Sequence, residues 1–557
     1  MGNPLHVCFL LIFLLWSARA HGESIEGLVV DEGGAPLPDA VIRIQATETS
    51  TRTDFLGRFW IDIGSVEEVV LTAWKEGRMN GWVKAAPGKK KAVITLKSIP
   101  LGDNKDYRWI SPDLPTFLEK IDIAARKALV SMTGKESWKS RFERNCSHCH
   151  ADLIVAQWRQ DAHARSAKNP IFLSMYNGTD AAGRTGIFPG YKLDFPKSQG
   201  NCAHCHVPLH ALTPRQSGDL TEATGLAKEG ISCDFCHKIR DVDVRPDRNY
   251  PGALSIKFNR PPQGKQVFLG PYDDAVAGPD TYAAIYKESR FCAPCHNAAF
   301  WGTPIYSEFE EWSNSPYSKA GTSCQDCHMP PDGVATHVAP PEKGGVKRDP
   351  KTIPSHRFRG PGDLQFMSEA VKLELDATWE GSVAAVRVGL SNEKAGHHIP
   401  TGVPMRNMIL LVEALDSEGR TLKTLEGPVV PEWGGVGRPE EGNYAGLPGK
   451  GFAKVLADVA KDFPRPTPDF RIPAPHWRQT TILSDSRIPA KGRDTSYYRF
   501  KVDLPREGKI KIRAKVIYRR SYKSWTDAKL WPLKDLEIAQ REVLLSKRGK
   551  KNKEGVD

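Results

Sequence analysis

Ten cysteines of this 557-residue chain fall in five Cys-x-x-Cys-His motifs, and that spacing points to one chemistry. The motifs are Cys146-Ser147-His148-Cys149-His150, Cys202-Ala203-His204-Cys205-His206, Cys233-Asp234-Phe235-Cys236-His237, Cys292-Ala293-Pro294-Cys295-His296 and Cys324-Gln325-Asp326-Cys327-His328. Two thiols at this separation can add to the two vinyl groups of one porphyrin. The His directly after the second Cys then reaches the iron from the proximal side. A zinc site or a thioredoxin-like dithiol could use a single such pair, but neither requires His after every pair. The expectation is five covalently bound haem c groups. Their anchors are Cys146, Cys149, Cys202, Cys205, Cys233, Cys236, Cys292, Cys295, Cys324 and Cys327, and their proximal ligands are His150, His206, His237, His296 and His328.

First cysteines are separated by 56, 31, 59 and 32 residues. The second and fourth motifs both read Cys-Ala-x-Cys-His. The third and fifth both follow Gly-x-Ser, from Gly230 and Gly321. The rhythm reads as a duplicated two-haem unit, and short spacings keep consecutive haems close enough for electron hopping.

A haem with a second axial ligand carries electrons; one with an open face can bind substrate. The 16 histidines suffice to cap all five irons. His163, in a short helix-like run from Trp158, is a candidate, as are His356 in Ser355-His356-Arg357-Phe358 and His397 in Gly396-His397-His398-Ile399-Pro400. His210 and His337 are further candidates, and adjacent His398 could replace His397. His148 and His204 lie inside haem loops and could meet propionates, whereas His476 is expected in solvent. Trp312-Ser313-Asn314-Ser315-Pro316-Tyr317 repeats the pattern around Trp158 and His163, with Tyr317 in place of His. That Tyr is expected to pack or hydrogen-bond; the sharper alternative is an iron ligand or a group beside an open haem.

The elements that must position these groups differ along the chain. Residues 1–20 read as a signal peptide: an apolar run from Cys8 to Trp16 precedes Ala18-Arg19-Ala20, and it is too short to span a bilayer. Cys8 follows bulky Val7, so a lipid anchor is not expected there. Residues 23–98 read as a small β-domain with strands at Gly27 to Val30, Ala40 to Ile44, Phe59 to Ile63 and Val69 to Ala73. Residues 99–365 hold all five motifs, with helical patches such as Leu118 to Val130 among Pro/Gly-rich loops. Residues 366–545 return to β-alternation at Ala370 to Leu375, Val383 to Leu390, Met408 to Leu415, Ser496 to Val502 and Ile510 to Tyr518. They read as an immunoglobulin-like or fibronectin-like sandwich, interrupted by a long loop from Gly427 to Ile482. Residues 546–557 form a polar, lysine-rich tail, expected to be disordered. The expected fold is thus multidomain: a β-sandwich, a mostly helical and irregular haem-packed domain, and a second sandwich contributing to haem ligation.

Formal charge is +12. Dispersed rather than clustered cations argue against nucleic-acid binding. Propionates, two per haem, would bring the loaded chain near neutrality and give many Lys and Arg a partner.

Two resemblances follow from these residues. Gly27 to Asp31, Gly34 to Val41 and Thr53 to Phe59 resemble the carboxypeptidase regulatory-like domain. That family implies a seven-stranded sandwich without catalytic residues, used for stability or docking. Residues 140–520 resemble multihaem cytochromes c related to the tetrahaem cytochrome of nitrifying bacteria. The resemblance rests on Trp158 to His163, Gly321 to Pro330, Ser355 to Phe358 and Gly396 to Gly402. It implies low-spin, mostly bis-His haems in stacked pairs, with His163, His356 and His397 as distal ligands; Tyr317 departs from the pattern and puts one haem's ligation in doubt. The expected function is electron transfer between redox partners outside the cytoplasm, in the periplasm or at the cell surface. Redox proteins or a quinol-linked membrane complex are the expected partners, with at most peripheral membrane contact and assembly through the β-domains. The alternatives are a multihaem reductase of small nitrogen or sulfur oxyanions, against which all five motifs ending in His weigh, and a subunit of an extracellular cytochrome filament.

Overall fold

The computed structural model describes residues 23–88, 91–113, 145–213, 219–244, 251–262, 265–276, 280–459, 471–502 and 509–546. The expected signal peptide, the helical patch from Leu118 to Val130 and the tail beyond Ser546 lie outside the described residues. The chain divides into two compact units, one running to Ile99 and including Tyr272–Tyr282, the other holding the rest.

The smaller unit has seven strands: β1 (Ser24–Asp31), β2 (Val41–Ile44), β3 (Ser50–Arg52), β4 (Arg58–Asp62), β5 (Val69–Trp74), β6 (Gly81–Ala85) and β7 (Ala92–Leu96). They form a three-stranded sheet, β4-β1-β7, and a four-stranded sheet, β3-β2-β5-β6. Period-2 alternation decides which side chains face inward. Phe59 and Ile61 of β4 are buried between exposed Arg58, Trp60 and Asp62. Ile94 and Leu96 of β7, Ile42 of β2 and Leu71 of β5 complete the core. Three strands escaped the sequence reading. β3 is only three residues long, and β6 and β7 sit in a stretch where Gly and Lys mask the alternation. Gly57 takes φ +71° at the turn before β4, where a Cβ would lie 2.6 Å from the Val29 carbonyl oxygen, so only Gly fits. The excursion Tyr272–Tyr282 joins this unit through polar and aromatic contacts. Arg43 pairs with Asp273 at 3.0 Å, the Asn80 amide donates to the Tyr272 and Ala275 carbonyls, and Trp74 meets Tyr282 edge-on at 4.5 Å.

In the larger unit the motif segment is made of short helices and loops, and the C-terminal part of two four-stranded sheets. One sheet runs Val371–Glu380, Val383–Asn392, Arg493–Lys501, Thr424–Glu426; the other runs Gly449–Phe452, Asn407–Leu415, Lys509–Arg519, Leu536–Ser546. Val386, Val388, Tyr498 and Phe500 of the first pack with Leu410, Val412, Ile512 and Val516 of the second in one cluster. The stretch 427–482, expected as a loop, instead contributes Gly449–Phe452 and most of a hairpin, Lys454–Asp458 with Thr480–Asp485. Its strands are interrupted by Gly and Pro, which hid them.

Two buried lysines bind this sheet structure to the motif segment. Lys454 donates to the Pro304 and Ile305 carbonyls and to Ser307 Oγ, at 3.2, 3.3 and 3.0 Å. Lys529 donates to the carbonyls of Ser174, Thr179 and Ile187, at 3.2, 2.8 and 2.7 Å. Burial pushes each ammonium down to about 8, and the converging carbonyls are what make a buried cation tolerable. Lys529→Met leaves those acceptors unmatched; it is expected to destabilise the larger unit by about 1–3 kcal/mol in chemical denaturation while leaving the smaller unit's transition unchanged.

Candidate haem-binding site

Each motif sits on or against a single helical turn: Ser147–His150, Cys202–His206, Cys233–Cys236, Ala293–His296 and Cys324–His328. One turn is what the chemistry needs. Residues three and four apart share a helix face, so both sulfurs and the imidazole present together. Ser232 Oγ caps the third turn by accepting from the Phe235 N–H. Ser323 and Asp326 form a reciprocal capping box on the fifth.

Three proximal imidazoles are oriented by backbone. His150, His237 and His328 donate from Nδ1 to the carbonyls of Val338, Leu269 and Arg359, at 2.7, 2.6 and 2.6 Å. That leaves Nε2 unprotonated and aimed away from the bond, as metal ligation requires. His206 and His296 make no such bond among the described residues; the His206 ring is instead stacked 3.8 Å from Phe172. Burial pushes His206 and His328 down to about 4, so both are neutral, the ligating form.

The distal candidates divide clearly. Two metal–nitrogen bonds of about 2 Å and two ring radii of about 1 Å would put trans imidazole centroids roughly 6 Å apart. His163 and His296 stand 6.4 Å apart, and His397 and His328 stand 6.3 Å apart. His163 Nδ1 is 2.7 Å from Asp161 Oδ1, and His397 Nδ1 is 3.0 Å from the His398 carbonyl. His398 turns to Glu311, whose Oε2 accepts its backbone N–H at 3.0 Å; the histidine paired with His328 is therefore His397. His356 is pushed down to about 4 by burial, and the nearest imidazoles acting on it are His237 and then His150.

His210 is 2 % exposed, and both its ring nitrogens lack a hydrogen-bond partner. A buried polar atom left unmatched costs about 1–3 kcal/mol, which an iron ligand would recover. His337 bonds Thr336 Oγ1 at 2.9 Å and meets none of the proximal rings. Exposed His148 bonds the Lys343 ammonium. One residue was misread. His476 is partly buried among Phe300, Tyr306 and Trp477 rather than solvated, and the imidazole acting on it is His206. No periodicity or motif marks it in the sequence.

The duplication is visible atom by atom. Trp158 Nε1 donates to Ile231 O and Trp312 Nε1 to Thr322 O, each at 2.9 Å. The Ile231 N–H returns to His163 O and the Thr322 N–H to Tyr317 O, each at 3.0 Å. Asp161 and Ser315 cap the equivalent turns, and Gly230 and Gly321 both have positive φ. His163 of the first unit faces His296, which belongs to the second. By the same logic Tyr317 would serve a third unit, which the described chain does not have. Its hydroxyl instead donates to the Glu393 carbonyl at 2.5 Å, bracing the loop that carries His397.

Thiols of different motifs, standing where thioether sulfurs would be, face each other closely enough to alter one another's ionisation. The pairs are Cys146 with Cys233, Cys205 with Cys295, and Cys292 with Cys324; Cys236 also feels Cys295. All five motifs are thereby linked, and the fourth touches the second, third and fifth. Among the described residues no three His, Cys, Asp or Glu side chains converge as a metal-ion site.

Linked motif turns with paired imidazoles are arranged as in multihaem c-type cytochromes, and the comparisons point the same way. Residues 145–238, which span the first three motifs, match the family model described as cytochrome c554 and c-prime. The fold is similar to that of a penta-heme cytochrome c552 from Thermochromatium tepidum, with a TM-score of 0.50 and 18% identity over 72% of this chain and 97% of that one. A second structure, the Fcho1 Mu homology domain of Danio rerio with bound Eps15 peptide, has a TM-score of 0.13 and 9% identity over 32% of this chain and 44% of that one, too low to mark a shared fold. No curated protein sequence matches the chain. These findings support a multihaem cytochrome c with covalently bound haem, a class associated with electron transfer. No described helix is long and apolar enough to cross a membrane.

His397→Ala is expected to turn one haem high-spin and open to carbon monoxide, with the others unchanged; His398→Ala should leave the spin state as it is. Electron paramagnetic resonance of the two variants checks this.

Proposed function

We propose that this chain is an exported pentahaem c-type cytochrome that passes electrons between redox partners outside the cytoplasm. The observation that carries the reading is the grouping of the five motif turns, whose cysteines influence one another from the first motif through the third and fourth to the fifth, with the second joined at the fourth, and whose imidazoles pair with His163 and His397 at 6.4 and 6.3 Å. Neighbouring porphyrin edges permit hopping, and a branched series offers an entry and two exits, or the reverse.

Cys146, Cys149, Cys202, Cys205, Cys233, Cys236, Cys292, Cys295, Cys324 and Cys327 hold the porphyrins on this reading. His150, His206, His237, His296 and His328 bind iron from one side. His163 and His397 close the fourth and fifth haems and His356 the third, with His210 and His337 as further candidate ligands. The bound group supplies reversible one-electron chemistry. The chain's own part is to orient neutral imidazoles and to exclude water from the iron.

The N-terminal unit acts as a carboxypeptidase regulatory-like module for stability or docking; seven strands in two sheets support that reading. The C-terminal sheets form an immunoglobulin-like sandwich that presents ligand loops. Electron partners are redox proteins or a quinol-linked membrane complex, in the periplasm or at the cell surface.

Denatured protein is expected to gain the mass of five haems, and the holoprotein to give low-spin spectra unchanged by nitrite. Fewer haems would remove a motif from the assignment. A high-spin haem that binds nitrite would replace the carrier reading by a reductase.

A further inference from the structure

We infer that Asp161 tunes the haem held by Cys292, Cys295 and His296: its carboxylate, bonded to His163 Nδ1, makes the sixth ligand electron-rich and holds that haem's potential below that of the fifth. The inference rests on the pentahaem reading and adds a residue that sets the order in which the irons are reduced.

The geometry is local. Asp161 ends the helix Ala156–Gln160, its N–H donating to the Trp158 carbonyl at 2.9 Å. Its Oδ1 accepts twice from His163, from the backbone N–H and from ring Nδ1, each at 2.7 Å. A carboxylate can only accept, so Nδ1 carries the proton and Nε2 keeps its lone pair for iron. The ring is in place to use it: it faces His296 at 6.4 Å, and Phe358 closes on it edge-on at 4.7 Å. The Asp161 side chain is 4 % exposed, and no Lys or Arg among the described residues pairs with it. Its charge is therefore poorly screened by water and not offset by a cation.

Two contrasts separate this bond from an ordinary cap. The first lies within the duplication. Ser315 stands where Asp161 stands and accepts from the Tyr317 N–H at 3.2 Å. A hydroxyl suffices for capping; the carboxylate is found where the capped residue is an imidazole. The second lies among the ligands. His150, His237, His328 and His397 bond through Nδ1 to neutral backbone carbonyls. Of these ring bonds, that of His163 alone ends on a carboxylate. A bond to an ionised acceptor is the stronger kind, and it draws the Nδ1 proton toward Asp161. The imidazolate character left on Nε2 favours ferric over ferrous iron and lowers the potential. Reduction adds one electron, taken from the redox partner, to the iron; the proton stays between Nδ1 and Oδ1 throughout. The fourth motif neighbours the second, third and fifth. A low-potential centre at that place passes electrons on, and they collect on the haems around it.

Ring angles tell the two pairs apart. His163 and His296 cross at 80°, whereas His397 and His328 lie 14° from parallel. Crossed imidazole planes give a strongly anisotropic low-spin ferric signal, and near-parallel planes a rhombic one.

The test is a potentiometric titration of wild type, Asp161→Asn and Asp161→Ser, read by electron paramagnetic resonance and near-infrared magnetic circular dichroism, with haem mass as control. Asp161→Asn keeps the cap and removes the charge; Asp161→Ser keeps the cap and removes the ring bond. Wild type is expected to hold five haems. As the potential falls, the rhombic signal of the fifth should vanish before the crossed-plane signal of the fourth, and one charge-transfer band should lie at higher energy than the rest. In both variants all five haems stay low-spin, one alone titrates at higher potential, and its band moves down to join the others. Unchanged potentials in both variants would overturn the inference and leave Asp161 a cap. An equal rise in all five would also overturn it, because loss of a general negative charge does that. Fewer than five haems in wild type, or no crossed-plane low-spin haem, would strike the pentahaem reading and its ligand pairs instead. If neither variant folds, wild type alone decides: a crossed-plane signal that vanishes before the rhombic one, or the absence of a raised band, overturns the assignment.

Discussion

Close approach of the five Cys-x-x-Cys-His turns is the constraint on which the larger unit depends. On the proposed reading the reason is that electron hopping falls steeply with distance, so the turns that would hold the porphyrins must lie near one another. The fourth turn bears most of this demand, because Cys292 and Cys295 face three other motifs. Its surroundings are correspondingly tight. Ala293 and Pro294 are buried within the turn itself. Ser289 Oγ accepts from the Cys324 N–H at 2.9 Å, and Gln325 Nε2 donates to the Tyr286 and Glu288 carbonyls, so the fifth turn is hung directly on the approach to the fourth. At the second turn a Cβ on Gly252 would stand 2.3 Å from His204 O and 2.8 Å from Cys205 Sγ. Only Gly lets the backbone come that close.

Duplication explains how such density was reached. Each unit brings a tryptophan, a capped turn, a positive-φ glycine and a serine-capped haem helix, joined by the same pair of hydrogen bonds. His163 of the first unit faces His296 of the second, and Tyr317 stands at the equivalent place in the second unit. Tyr keeps the ring at that position and exchanges the lone pair of an imidazole for a hydroxyl that can grip a backbone carbonyl.

The sequence made the chemistry legible and the geometry only in part. Cys-x-x-Cys-His is a covalent requirement, so it is written in consecutive residues. Distal ligands are not, because any imidazole brought to the right point will do. His163, His356 and His397 stood out through neighbouring Trp, Phe, Gly and Pro, which fix turns. His476 had only Pro475 and Trp477 beside it, and its burial depends on walls drawn from Phe300 and Tyr306. Long alternating strands such as Val383–Asn392 and Lys509–Arg519 were readable because one face is buried along their whole length. The strand Gly449–Phe452 was not, since two glycines carry no pattern. Nor could the sequence reveal that Tyr272–Tyr282 leaves the haem-motif segment to pack on the first unit, since that docking rests on Arg43, Trp74 and Asn80, far away in the chain.

The motif segment has apolar clusters of its own, with Leu209, Phe235, Ile239, Phe258 and Ile285 buried together, and it is braced further by the C-terminal sheets. They supply a conventional core, with Val386, Leu410, Tyr498 and Val516 nearly inaccessible to solvent. From its edges rigid loops extend toward the motifs. In the His397 loop, Asn392 Nδ2 donates to the His397 carbonyl at 2.8 Å and to the Ile488 carbonyl at 3.2 Å, while Ile399 and Ile488 exchange backbone hydrogen bonds. Arg487 bridges Glu311 and Asp485, each at 2.7 Å, with the arginine 6 % exposed. Glu311 in turn accepts the His398 N–H. The loop is therefore fixed from the sheet side and the motif side at once. Lys454 and Lys529 do the same for the hairpin before the second tryptophan repeat and for the helix after the first. The motif segment is thus tied down at these points by a neighbour folded on ordinary hydrophobic terms.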